Sequence, residues 1–169
     1  MSDCCAPTTD TDCCATPVDE GTASPVCASC GQKGKTVQRI TPEHLLKQDA
    51  AARLQETAYR FCATPTCHVV YFSIETDQYF HKTDMKVRVG LKEPEHPVPI
   101  CYCFDYTVRD VEKEIDTTGA TTIPDRIRAE IKADTCRCEV ENPQGSCCLG
   151  NVSQAVKQSM AEAETMVQI

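Results

Sequence analysis

A single residue separates Cys101 from Cys103, and that spacing constrains the fold more than any other feature of the chain. Two thiols this close along the backbone cannot close an unstrained disulfide with each other, because the segment between them is too short for the Cα separation a disulfide needs. Both can, however, reach one metal centre. Further thiols follow at Cys136-Arg137-Cys138 and at Cys147-Cys148. The Cys101–Cys103 pair reads as half of an iron-sulfur site, around which the rest of the chain has to be organised.

Composition supports a metal-dependent fold. The 169 residues include no Trp and only 5% aromatic residues, and part of the 41% hydrophobic content is cysteine, so the conventional core is thin. Chains with thin cores need disulfides or metals to stay folded, and 14 Cys can serve either purpose. The first residues, Met1-Ser2-Asp3-Cys4-Cys5-Ala6-Pro7, show neither the basic nor the apolar segment of a secretory signal, and no apolar run is long enough to span a membrane. The expected setting is therefore a reducing cytoplasm without membrane insertion, where paired cysteines bind metal or do redox chemistry. A net charge of -8 argues against a nucleic-acid partner, because phosphate binding needs a basic face.

Residues 1–25 are built from small, polar and cysteine residues that cannot bury enough surface to offset ordering, so a flexible tail is expected. Its two vicinal pairs, Cys4-Cys5 and Cys13-Cys14, suit a soft ion such as Cu(I), although they could equally be unoccupied thiols. Order begins at Cys27-Ala28-Ser29-Cys30-Gly31, a knuckle whose turn can aim backbone N–H groups at both thiolates. A strand is expected over Lys35 to Ile40. Thr41-Pro42-Glu43 then predicts a helix start with Thr41 as cap and Pro42 in the first turn.

Two strands flank a turn at Pro65, with Cys62 and Cys67 on either side of it. Together with Cys27 and Cys30 they supply four thiolates, the ligand count of a closed tetrahedral zinc site. His68, at the head of an apolar strand, reads as structural or simply exposed.

Further strands are predicted at Gln78-Tyr79-Phe80-His81 and Lys86 to Gly90, followed by a proline-rich linker from Glu93 to Pro99. The pattern then turns helical. Val108, Val111 and Ile115 share one face behind Thr107 as cap, Ile127 and Ile131 share another after Pro124, and Val152, Val156 and Met160 line a last helix from Leu149. The expectation is an α+β chain: a tail at 1–25, a small zinc-stapled β-rich subdomain at 26–93 and a helical, 2Fe-2S cluster-binding subdomain at 94–169.

Several of these motifs, in this order, resemble the N-terminal domain of archaeal-type CopZ copper chaperones. The likeness runs from about residue 26 to 160 and is carried by Cys27 to Cys30, Phe61-Cys62 with Cys67, Lys86 to Glu93, Cys101-Tyr102-Cys103, and Asn142-Pro143-Gln144-Gly145-Ser146-Cys147-Cys148. It implies zinc on Cys27, Cys30, Cys62 and Cys67. It also implies a 2Fe-2S cluster on Cys101, Cys103, Cys138 and Cys148, in a C-terminal half similar to bacterioferritin-associated ferredoxin. Cys136 and Cys147 are then spare thiols, although either could swap in. The copper-binding domain that follows in full-length chaperones, with its Met-x-Cys-x-x-Cys loop, is absent from the sequence.

The function that follows from the resemblance is copper or soft-metal handling, with one electron reducing Cu(II) to Cu(I), and with tail thiols, a metal-transporting ATPase or a chaperone domain on another chain receiving the ion. The alternative is a ferredoxin-like electron-transfer module for a reductase or an iron-storage partner. Neither is a conventional enzyme. A thiol oxidoreductase using Cys27 and Cys30 would require a thioredoxin-like βαβ context that the sequence lacks.

Overall fold

In the computed structural model, which describes residues 25–167, the first half is a four-stranded antiparallel sheet in the order β1-β2-β3-β4. The strands are β1 (Lys35–Val37), β2 (Tyr59–Phe61), β3 (Val69–Ser73) and β4 (Gln78–His81), and helices α1 (Ile40–Leu45) and α2 (Gln48–Ala51) connect β1 to β2. Central strand β3 is buried along its whole length, so both of its faces have to be covered.

One face carries Phe61, Tyr71 and Phe80, packed against Leu45, Leu46 and Ala50 from the helices. The other carries Val69 and Phe72, which pack against Cys27, Cys62 and Cys67. A register shift between Val69 and Tyr71 sends Val70 and Tyr71 to the same side. The sheet thus has a hydrocarbon core on one side and a thiol core on the other, and the cysteines fill the layer that a larger chain would build from Leu and Ile.

The second half is helical, around a short hairpin of β5 (Pro99–Cys101) and β6 (Tyr106–Thr107). Helices α3 (Val108–Thr118), α4 (Ile123–Lys132), α5 (Cys138–Glu141) and α6 (Leu149–Val167) follow. Ile100, Val111, Ile115, Ile123, Ile127 and Val152 form its core together with Cys101, Cys138 and Cys148. Thr107 caps α3 as the sequence indicates, in a capping box with Asp110.

Four local expectations are corrected. Thr41 lies inside α1, preceded by Arg39 at the cap position, and its buried hydroxyl instead donates to the Glu139 carbonyl at 2.6 Å. Lys86 to Gly90 is not a strand: its backbone at Arg88 and Gly90 bonds to the Tyr102 hydroxyl rather than to a neighbouring strand, and a 3-10 turn, Gly90–Lys92, follows. In α6 the inward stripe takes a three-residue step through Val152, Ala155, Val156 and Ser159, which leaves Met160 exposed. Ile127 is fully buried, but Ile131 near the end of α4 is not.

Both halves meet along one seam. Helix α5 packs on α1, the Tyr71 hydroxyl donates to the Pro143 carbonyl at 2.9 Å, and Lys35 reaches Ser146. The Gly145 turn between Cys138 and Cys148 has φ +60, and a Cβ there would press on Thr41 and Val37 at 3.1 Å. Glycine meets both demands of that position, the left-handed backbone and the close approach.

Candidate metal centres

The four cysteines of the sheet half converge. The Sγ atoms of Cys27, Cys30, Cys62 and Cys67 all lie within 4.8 Å of one another, with Cys30 to Cys62 at 3.6 Å and Cys27 to Cys67 at 4.0 Å. Cys27 and Cys30 come from the knuckle, which is closed by the Gly31 N–H to the Cys27 carbonyl at 2.7 Å. Cys62 follows β2 and Cys67 precedes β3, so the turn at Pro65 sets their separation. One tetrahedral ion needs four donors in a single shell, and this group provides them.

The local field is uneven. The Thr64 hydroxyl, 3.3 Å from Cys30 Sγ, is the main reason the Cys30 thiol is held down to about 6. Burial pushes Cys27 up to about 12, against the N–H groups of Ser29 and Cys30, and burial likewise raises Cys62. Metal binding would therefore displace protons from Cys27 and Cys62 while meeting Cys30 already as a thiolate.

One participant has no motif to announce it. Lys92 is 3% exposed, and its Nζ donates to the carbonyls of Thr64 and Cys67 at 2.7 and 3.0 Å. Burial lowers its pKa, and the four cysteine thiolates oppose that shift. A buried ammonium beside four thiolates offsets part of the anionic charge that a four-thiolate metal site carries, and its two hydrogen bonds pin the turn that bears Cys62 and Cys67. Only the sequence position of Lys92 within Lys86 to Glu93 hinted at a role. His68 is exposed, stacks on His81 at 5.0 Å and is not part of the thiol group.

The thiols of the helical half are arranged differently. Cys103 and Cys138 lie 3.7 Å apart, and Cys101 and Cys148 are both buried in the core of this half. The Cys148 thiol lowers Cys101 to about 7 against the effect of burial, and Cys101 together with burial raises Cys148. Burial pushes Cys103 up to about 12, although the Arg137 N–H points at its sulfur from 3.4 Å. Cys136, half-buried, joins Cys103 and Cys138 in a trio whose sulfurs are all within 4.8 Å of one another. Burial first, then the charges of Cys103, Cys101 and Cys147, raise the Cys136 thiol. Cys147 is exposed. Cys4, Cys5, Cys13 and Cys14 lie outside the described residues.

Every loop that carries these thiols leans on the sheet half. Tyr102, between Cys101 and Cys103, accepts the Gly90 N–H at 2.8 Å and donates to the Arg88 carbonyl at 3.0 Å. A Cβ on Gly90 would sit 1.8 Å from the Pro99 carbonyl oxygen, so only glycine allows this approach. Between Cys138 and Cys148, Asn142 is buried. It accepts the Gln144 N–H on its side-chain oxygen and donates its amide to the Ser146 carbonyl at 2.6 Å, which folds the Asn-Pro-Gln-Gly turn back on itself. The sequence carried this turn signal, but not the partners in the other half that hold it.

The sheet half gathers four thiols that could hold one metal ion, and residues 24–86 match the family model of the CopZ-type zinc binding domain. The chain is 32% identical over 131 residues to the copper chaperone CopZ of Archaeoglobus fulgidus, an alignment covering 72% of this chain and 57% of that protein. The chain therefore spans a little over half the length of that curated relative. Among solved structures it is similar to the X-ray structure of the Archaeoglobus fulgidus CopZ N-terminal domain, with a TM-score of 0.64 and 28% identity over 76% of this chain and 95% of the other. No helix among the described residues is long and apolar enough to cross a membrane.

Proposed function

We propose that the chain is a two-centre metal-handling protein of the cytoplasm, with zinc on Cys27, Cys30, Cys62 and Cys67 and a 2Fe-2S cluster on Cys101, Cys103, Cys138 and Cys148. The observation that carries this reading is the contrast in sulfur geometry. Four mutually close thiols suit one tetrahedral ion. One close pair, Cys103 with Cys138, beside Cys101 and Cys148 buried in the same core, suits two irons that each take two thiolates. The donor set fits the group: the four thiols are buried or half-buried, and the Arg137 peptide N–H points at the Cys103 sulfur.

When bound, such a cluster would supply single electrons, and the chemistry it serves in this reading is reduction of Cu(II) to Cu(I). Soft thiolates prefer Cu(I), so reduction and capture reinforce each other. The residues of this chain contribute in separate ways. Tyr102 and Asn142 fix the loops that carry the cysteines, the hydrocarbon of Ile100, Val111 and Val152 excludes water from the buried pair, and Cys103 and Cys136 stay near the surface. Cys4, Cys5, Cys13 and Cys14, or thiols on a partner such as a metal-transporting ATPase or a chaperone domain, would then hold the reduced ion. The zinc centre is structural.

Titration of the dithionite-reduced holoprotein with Cu(II) under argon tests the function. Bleaching of the reduced-cluster signal with matching formation of chelatable Cu(I) is expected. A reduced protein that ignores Cu(II) but passes electrons to a small one-electron acceptor would instead mark a plain electron-transfer module.

A further inference from the structure

Four thiolates complete a 2Fe-2S centre, yet the helical half brings a fifth to the same place. The sulfurs of Cys103, Cys136 and Cys138 lie within 4.8 Å of one another, while the Cys103 to Cys138 contact alone is 3.7 Å. The Cys136-Arg137-Cys138 segment wraps Cys103, because the Arg137 N–H between the two thiols is the group that points at Cys103 Sγ. One residue separates Cys136 from Cys138, too short a segment for an unstrained disulfide between them, and both are free thiols in the structure. Cys138 is buried and Cys136 half-buried, which puts the extra thiol on the solvent side of the pair.

Building on the cluster reading above, we propose that Cys136 is a stand-by ligand for the iron between Cys103 and Cys138. It can replace Cys138 without loss of the cluster. The exchange is a balanced substitution with no redox change: an Fe–S bond to Cys136 forms, the Fe–S bond to Cys138 breaks, and the proton of the Cys136 thiol passes to the departing Cys138 thiolate. Three thiols thus serve two coordination positions, and one is always free at the iron. A soft ion arriving from solvent can take that thiol while the iron keeps its full complement. The rim of the centre becomes a contact point for the cargo as well as for the electron.

The test uses full-length protein purified without oxygen, as wild type, Cys138→Ala, Cys136→Ala, the double variant and Cys101→Ala. Iron, sulfide and zinc are measured, together with the electron paramagnetic resonance of the reduced forms. Cys138→Ala is expected to keep about half or more of the wild-type iron with altered g-values, while the double variant falls about tenfold with its zinc retained. Iron in Cys138→Ala as low as in Cys101→Ala, with zinc intact, overturns the inference, as does a double variant that keeps its cluster.

Cys136→Ala, which leaves Cys101, Cys103, Cys138 and Cys148 in place, gives an answer even if Cys138→Ala does not fold. Its cluster is expected to be lost to a Cu(I) challenge about tenfold faster than that of the wild type, and equal rates count against the stand-by role. A wild type without any cluster signal would refute the cluster reading itself rather than this step.

Discussion

The two halves of the molecule use cysteine in opposite ways. In the sheet half the thiols substitute for a hydrophobic layer, lying beneath Val69 and Phe72 on the second face of β3, and local geometry brings all four together. In the helical half a hydrocarbon core already exists around Val111, Ile123, Ile127 and Val152. Cys101, Cys138 and Cys148 join it at or beside the ends of β5, α5 and α6, and the segments between them are held by distant partners. In the proposed reading the metal ties the first arrangement together, whereas the segments of the second lean on contacts from the first half. Dependence therefore runs from the sheet half to the helical half.

The largest test of that asymmetry is Cys62→Ser. With one of four ligands gone, zinc content is expected to fall from about one per chain to near zero, the sheet to lose cooperative unfolding, and iron to follow, as measured by metal analysis and circular dichroism. Retention of iron in a zinc-free chain would show that the helical half stands alone.

Lys92→Met keeps the volume of the side chain but removes the buried charge and its two hydrogen bonds. Zinc affinity measured against a chromophoric chelator is expected to drop about 10- to 100-fold, while Lys92→Arg loses less. Tyr71→Phe acts on the seam. It strips the Pro143 carbonyl of its donor, at a cost of about 1–3 kcal/mol in denaturant unfolding, and is expected to speed iron loss without changing zinc affinity.

The smallest effect expected is a pH shift. Zinc binding requires thiolates, and the Thr64 hydroxyl holds Cys30 at about 6 against the ordinary 9.0, so Cys30 stays ready for metal down to that lower pH. Thr64→Val lets the Cys30 pKa rise, more protons then compete with zinc as the pH falls, and the midpoint of acid-driven zinc release moves upward by about 0.3–0.5 pH units.

How legible each half was in the sequence follows the same divide. The knuckle at Cys27 and Cys30 and the turn between Cys62 and Cys67 announce themselves by spacing, and the structure brings these four together. The helices after Thr107 and Pro124 were readable from capping and periodicity. Long-range contacts hid the rest. Lys86 to Gly90 has the composition of a strand but spends its backbone hydrogen bonds on Tyr102, and Thr41 looks like a cap but serves the Glu139 carbonyl ninety-eight residues away. The burial of Lys92 could not be read from a short stretch of alternating charge. Nor could the grouping of Cys136 with Cys103 and Cys138, because adjacent candidates in a Cys-x-Cys differ only in which one the fold turns inward.

One measurement bears most directly on the two-centre assignment: zinc, iron and reduced-state electron paramagnetic resonance on anaerobically purified wild type and Cys101→Ser. The wild type should hold about one zinc and two irons per chain with a 2Fe-2S signal, and Cys101→Ser should keep its zinc while losing or visibly altering the cluster. An intact, unchanged cluster in Cys101→Ser would contradict the assignment at its first ligand.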